Sequence, residues 1–144
     1  MNTNELMVAD LVYKKERDHY LPVRIIAIYE DNVDWKFRNT EGVISVNGIK
    51  PIPITAKILE ANGITLLEVG DNGPATPKKH LNRYEKWFIH TTWKDTYLWY
   101  DRMADHWHLQ DMSGARFHHV HELQHALRLA GLDDLADNFK LKAQ

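Results

Sequence analysis

The chain has 144 residues, with no cysteine, nine histidines, five tryptophans and a net charge of −2. That length suits one domain or two very small ones, and 44% hydrophobic with 26% charged residues excludes wholesale disorder. The missing cysteines exclude a disulfide scaffold, thiol catalysis and any thiolate-ligated zinc or iron–sulfur centre, and the near-neutral charge argues against a strongly basic nucleic-acid binder.

Residues 1–5 carry neither a basic nor an apolar stretch, and nowhere do about 18 apolar residues run together. Neither a signal peptide nor a membrane span is therefore expected, and a cytoplasmic location is. Residues 6–8 and 11–13 read as short strands, followed by the β-branched run 23–29 and the alternating run 33–38. Turns are expected at 30–32 and 39–42, then a strand over 43–46 and a further turn at Asn47-Gly48. Strands at about ten-residue spacing with Gly and Asn turns predict a small antiparallel barrel of SH3-like form over residues 1–54. Pro51-Ile52-Pro53-Ile54 cannot be an interior strand, because alternate prolines lack ladder donors, and it reads as an extended connector.

Thr55 is the expected N-cap of a short helix, 56–61, stopped by Asn62-Gly63. A strand over 64–69 leads into residues 70–79, the only linker-like stretch. Alternating runs follow at 85–91, 96–100, 106–109 and 116–119, with a turn at 112–114. A helix over 120–130, stopped by Gly131, and a second helix over 133–141 complete the chain. The fold class is thus α+β: the barrel, then residues 55–144 as an antiparallel meander packed on a C-terminal helix.

Alternation sorts the meander into two faces. Trp87, Ile89, Tyr97, Trp99, Trp107, Leu109 and Phe117 form an apolar face, expected beneath the helix stripe Val120, Leu123, Leu127 and Ala130. Lys86, Phe88, His90, Leu98, Tyr100, His106, His108, Arg116 and His118 form the other face. As an open surface it would bind a ligand through Phe88, His90, Tyr100, His106, His108 and His118. Its rings could stack bases while Lys86 and Arg116 attract phosphate, so single-stranded nucleic acid is one alternative. Equally, the barrel or a partner subunit could cover this face.

His121-Glu122-Leu123-Gln124-His125 matches H-E-x-x-H, in which two imidazoles one turn apart hold zinc and the glutamate activates the metal-bound water. A zinc-dependent hydrolase with ligands His121 and His125 and catalytic Glu122 is therefore a second alternative. Against it, no glutamate follows Glu122, position 131 is Gly rather than His, and Arg128 shares a face with His125. Third ligands remain possible from Asp133, Asp134, His118 or His119. His106-Trp107-His108 also places two imidazoles on one strand face. Serines occur only at 45 and 113, no phosphate-cradling Gly loop exists, and nucleophilic catalysis has no support.

Ile49-Lys50-Pro51-Ile52-Pro53-Ile54-Thr55, Ile58-Leu59-Glu60-Ala61-Asn62-Gly63 and Val120-His121-Glu122-Leu123-Gln124 together carry a resemblance. The chain resembles a family of short uncharacterised proteins of gut Bacteroidales bacteria and their prophages. That family has an I-x-P-I-P-L-T connector, a helix ending in N-G and a final V-H-x-L-Q-N helix. The resemblance implies that His125, where the family has Asn, is incidental as a zinc ligand, and that His121 and Gln124 orient the helix on a sheet. It also implies a mobile-element or host-interaction accessory role. The reading that results is a non-catalytic binding or adaptor module without a cofactor, with a protein partner, and with a homodimer as a further option.

Overall fold

A computed structural model of the chain describes residues 1–67, 84–90, 95–101, 105–109 and 116–142. The expected linker at 70–79 and turn at 112–114 lie outside the described residues. Two compact units are present: Met1–Ile54 with His119–Phe139, and Thr55–His118 with Lys140–Gln144.

The first unit is built on five antiparallel strands: β1 (Leu11–Glu16), β2 (His19–Ile28), β3 (Asn32–Phe37), β4 (Thr40–Ser45) and β5 (Ile49–Lys50). Their order is β4-β3-β2-β1-β5, so among the described residues β4 and β5 are the two edges and no ladder closes the sheet into a barrel. The expected closed barrel is observed as an open sheet. Closure fails because β5 is two residues long and runs into Pro51 and Pro53, which have no N–H to extend it. Two-residue turns join β1 to β2 and β3 to β4, with Arg17 (φ 53°) and Arg38 (φ 55°) in the left-handed region. The second of these hairpins draws Thr40 to Gly42 into β4, where the sequence reading had a turn. Val12, Val23, Ile25, Val33, Trp35 and Ile49 form the core of this unit.

Residues 6–8, expected as a strand, form a turn instead. The Met7 N–H donates to Asp10 Oδ2 at 2.7 Å, the Asp10 N–H returns to Met7 O at 3.2 Å, and Ala9 takes φ 76°. A local carboxylate acceptor competes with the strand ladder and wins.

Helix α1 (Ala56–Ala61) is capped as expected: the Thr55 hydroxyl accepts from Ile58 N, and Gly63 leaves the helix at φ 72°. The second sheet runs β6 (Thr65–Leu67), β7 (Tyr84–His90), β8 (Asp95–Asp101) and β9 (His106–Leu109) in sequence order, all antiparallel. Residues 116–119 form only isolated bridges, Trp107 with Phe117 and Pro53 with His119.

Helix α2 (Val120–Leu129) ends before Gly131 (φ 80°), and α3 (Asp133–Asp137) is shorter than predicted. Both group with the N-terminal sheet, whereas the apolar stripe of α2 was expected beneath the meander. An apolar stripe specifies burial but not the surface that supplies it. The connector supplies part of it: Val120 N donates to Ile52 O at 2.8 Å, and Ile52 and Ile54 are buried. The connector and the start of α2, two of the three stretches that carry the resemblance, therefore meet in space. Among the described residues, no helix is long and apolar enough to cross a membrane.

Gly42 lies opposite Trp35 in the β3–β4 ladder, and a Cβ there would come within 2.7 Å of Trp35 Cζ2. Because Trp35 is a rigid, buried core ring, it cannot yield cheaply. Gly42→Val is expected to lower stability by about 2 kcal/mol or more, read as a lower urea midpoint.

Candidate functional site

The H-E-x-x-H residues lie on α2, which meets the turn preceding β1. Residues 9–11 lie beyond the reach of β5, which pairs only with Tyr13 and Lys14. On the β2 side, Ala9 N donates to Ile25 O and Ile25 N to Asp10 O. On the other side Gln124 substitutes for a strand. Its Oε1 accepts from Leu11 N, and its Nε2 donates to Ala9 O and Ala136 O, each at 2.9 Å. The amide is fully buried and all of these bonds are internal.

Asp10 is likewise fully buried. Its Oδ2 accepts from Met7 N and from His125 Nε2, both at 2.7 Å, and its Oδ1 accepts from Arg128 Nη1 at 3.0 Å. A carboxylate can only accept, so His125 carries its proton on Nε2. Arg128 reaches further, to Asp137 Oδ1 at 3.1 Å and to Val8 O at 3.3 Å. Arg24, on β2, donates to Ala9 O, Asp137 O and Phe139 O, fixing the chain that leaves α3. Burial, and next the Arg128 guanidinium, pull the Arg24 pKa below its ordinary value, while Asp137 and Asp10 oppose the shift.

Glu122 points elsewhere. Its Oε1 accepts from His119 N at 3.2 Å and His119 Nδ1 at 2.7 Å, forming a capping box at the start of α2. His121 is buried, with its ring 5.8 Å from His125 edge-on and 6.0 Å from His119 in parallel stacking. Its Nδ1 has no hydrogen-bond partner among the described residues. Burial pushes the His121 pKa below 6.5 and the His125 and His119 rings add to this, while the carboxylates of Asp10 and Glu122 pull the other way.

The residues of the zinc alternative thus gather locally, but the functional atoms of Glu122 and His125 are committed. The glutamate caps its own helix, and the second histidine is bound to Asp10 beside a guanidinium. Among the described residues, no group of three or more His, Cys, Asp or Glu side chains could hold a metal ion.

On the meander, the ladders settle which residues share a face. Trp99 lies opposite Lys86 and His108, Tyr97 opposite Phe88, and His90 opposite Asp95. Trp87, Leu98 and Leu109 align on the other face, as do Tyr100 and Trp107. The ligand face therefore keeps Phe88, His90, His106 and His108, gains Tyr97 and Trp99, and loses Tyr100. Alternation fixes parity within a strand, but the parity between strands depends on register, and a one-residue offset exchanges the faces. Leu98 and Leu109 are buried, and the Tyr100 ring lies 4.8 Å from Trp107 while its hydroxyl donates to Asp105 at 2.6 Å.

The resulting row of rings is continuous. Tyr97 stands 6.4 Å from Trp99, Trp99 stacks on His108 at 6.3 Å with planes 15° apart, and His106 lies 5.7 Å from His108. Burial lowers the His108 pKa below 6.5, helped by His106 and Arg116 and opposed by Asp101, so the ring is neutral at neutral pH. His118 and Arg116 are exposed beside Phe117, which bridges to Trp107. Compared with known proteins, the chain matches no protein-family profile, no curated protein and no solved structure.

Gln124→Leu removes the acceptor of Leu11 N and the donor to two carbonyls at a buried position. A loss of about 2–4 kcal/mol is expected in urea denaturation. His121 supplies the pH dependence. Its folded pKa is depressed, so the unfolded chain binds more protons in the window below 6.5. The contribution of His121 is present above pH 6.5 and is lost as pH falls through its folded pKa. The urea midpoint should fall on going from pH 7.5 to 5, and His121→Gln should flatten that fall.

Proposed function

We propose that the protein is a non-catalytic binding or adaptor module whose ligand is another protein, acting in the cytoplasm. The observation that carries this reading is the row Tyr97, Trp99, His108 and His106 on one face of the meander. Rings are enriched where proteins bind one another, because they offer a large contact area at little conformational cost. The commitment of Glu122 and His125 to internal bonds supports a non-catalytic role, since a zinc hydrolase would need the carboxylate at a metal-bound water. The order β4-β3-β2-β1-β5, with a single 3-10 turn between β4 and β5, supports an SH3-like reading of residues 1–54. The resemblance to the Bacteroidales and prophage proteins supports a mobile-element accessory role.

Single-stranded nucleic acid is the second reading, favoured by the exposed Arg116 beside the ring row and by Lys86 opposite Trp99. It is weakened because Tyr100, one of its stacking rings, belongs to the other face.

A photo-cross-linking amino acid at position 97 distinguishes the two readings in living cells. The expected adduct is destroyed by protease treatment of the trapped partner and survives nuclease, and Trp99→Ala reduces its yield several-fold. An adduct removed by nuclease would transfer the function to nucleic-acid binding. No adduct at all would remove the ring face as a binding surface.

A further inference from the structure

Among the described residues, the β4 edge carries unused hydrogen-bonding capacity. In a two-residue hairpin the closing residues, Phe37 and Thr40, form the hydrogen-bonded pair, and the ladder alternates from there. The bond from Val46 N to Asp31 O at 2.9 Å keeps the same phase at the far end. The backbone groups of Thr40, Gly42 and Ile44 therefore face β3, and those of Glu41, Val43 and Ser45 face away from the sheet.

Long edge strands are normally guarded by prolines, bulges, brevity or charge. The opposite edge, β5, has two residues and is followed by Pro51 and Pro53. β4 has six residues, no proline, unbroken register with β3 and a single charge, Glu41, which pairs with its own neighbour Lys36 at 3.8 Å. Val43, 66% exposed, is the most exposed large apolar side chain of the five-stranded sheet. It stands opposite Asp34, whose carboxylate accepts from the hydroxyl of the half-exposed Tyr29.

We propose that this edge binds a second copy of the chain, β4 against β4 antiparallel, in a two-fold dimer with a continuous ten-stranded sheet. With the two-fold axis at Val43, the outward-facing residues pair only with one another. Val43 meets Val43 of the second copy, and Glu41 meets Ser45. The charges favour self-pairing, because the only ionised side chain of the strand then faces a hydroxyl and keeps Lys36 beside it. A parallel arrangement would place Glu41 against Glu41, which the antiparallel one avoids.

Sedimentation and light scattering of the full chain over roughly 1–200 μM test the proposal, a range in which a modest interface is populated. The wild-type protein is expected to show a concentration-dependent dimer mass. Val43→Pro removes an outward N–H that β3 does not use, so it should leave the fold intact and raise the dimer dissociation constant at least about tenfold. Val43→Lys should do the same without altering the backbone. Val8→Lys, at a comparably exposed apolar position outside the sheet, should leave the dimer unchanged. A wild-type chain that stays monomeric throughout the range would overturn the proposal. So would a dimer that survives both Val43 variants, or a monomer that instead takes up an extended peptide from another protein.

Discussion

The backbone of residues 9–11 must be satisfied on a side that no strand reaches, and the first unit is arranged around that requirement. Gln124 is 113 positions away from Leu11 in sequence and takes the place of the missing strand. A buried peptide group without a partner costs about 1–3 kcal/mol, comparable with burying a leucine, so the amide is as much a part of the core as the apolar side chains around it. Arg24 and Arg128 extend the same solution, one to the carbonyls that follow α3 and the other to the buried Asp10 carboxylate.

This constraint places its own demand on the residues of the H-E-x-x-H pattern in α2. Docking on the turn at residues 7–11 requires polar side chains on one face, and His121, Gln124, His125 and Arg128 lie at i, i+3, i+4 and i+7. Holding a metal between two imidazoles requires the same i, i+4 spacing. Spacing therefore cannot separate the two chemistries. Asp10 lies at the end of His125, Arg128 lies on Asp10, and Glu122 turns back to His119. The apolar stripe, with Val120, Leu123 and Leu127 buried, shares the helix with this polar stripe, and the two together leave little but Leu129 fully exposed.

The meander makes a related point about sheets. The pairs Trp99 with His108 and Tyr100 with Trp107 depend on register, which involves two strands at once. Within each strand the alternation was legible, and residues 106–109 appear as a strand with the expected bounds. The grouping across strands was not legible, so Tyr100 and Trp99 exchanged faces.

Local signals in the sequence determined what local energetics control. Thr55 and Asn62-Gly63 delimit α1, Gly131 ends α2, and the prolines of the connector rule out an interior strand. The absence of cysteine, visible from composition alone, confines any metal ligands to His and carboxylates. The nine histidines raised the prospect of a metal enzyme, and only the tertiary structure could assign their roles. His121 is buried in the polar seam of α2, His125 is held by Asp10, and His106 and His108 continue a row of aromatic rings. The open edge at β4, the faces of the meander and the attachment of α2 to the first sheet also required the fold. Each depends on which distant backbone groups and side chains come together, and contact between residues a hundred positions apart leaves no period in the sequence.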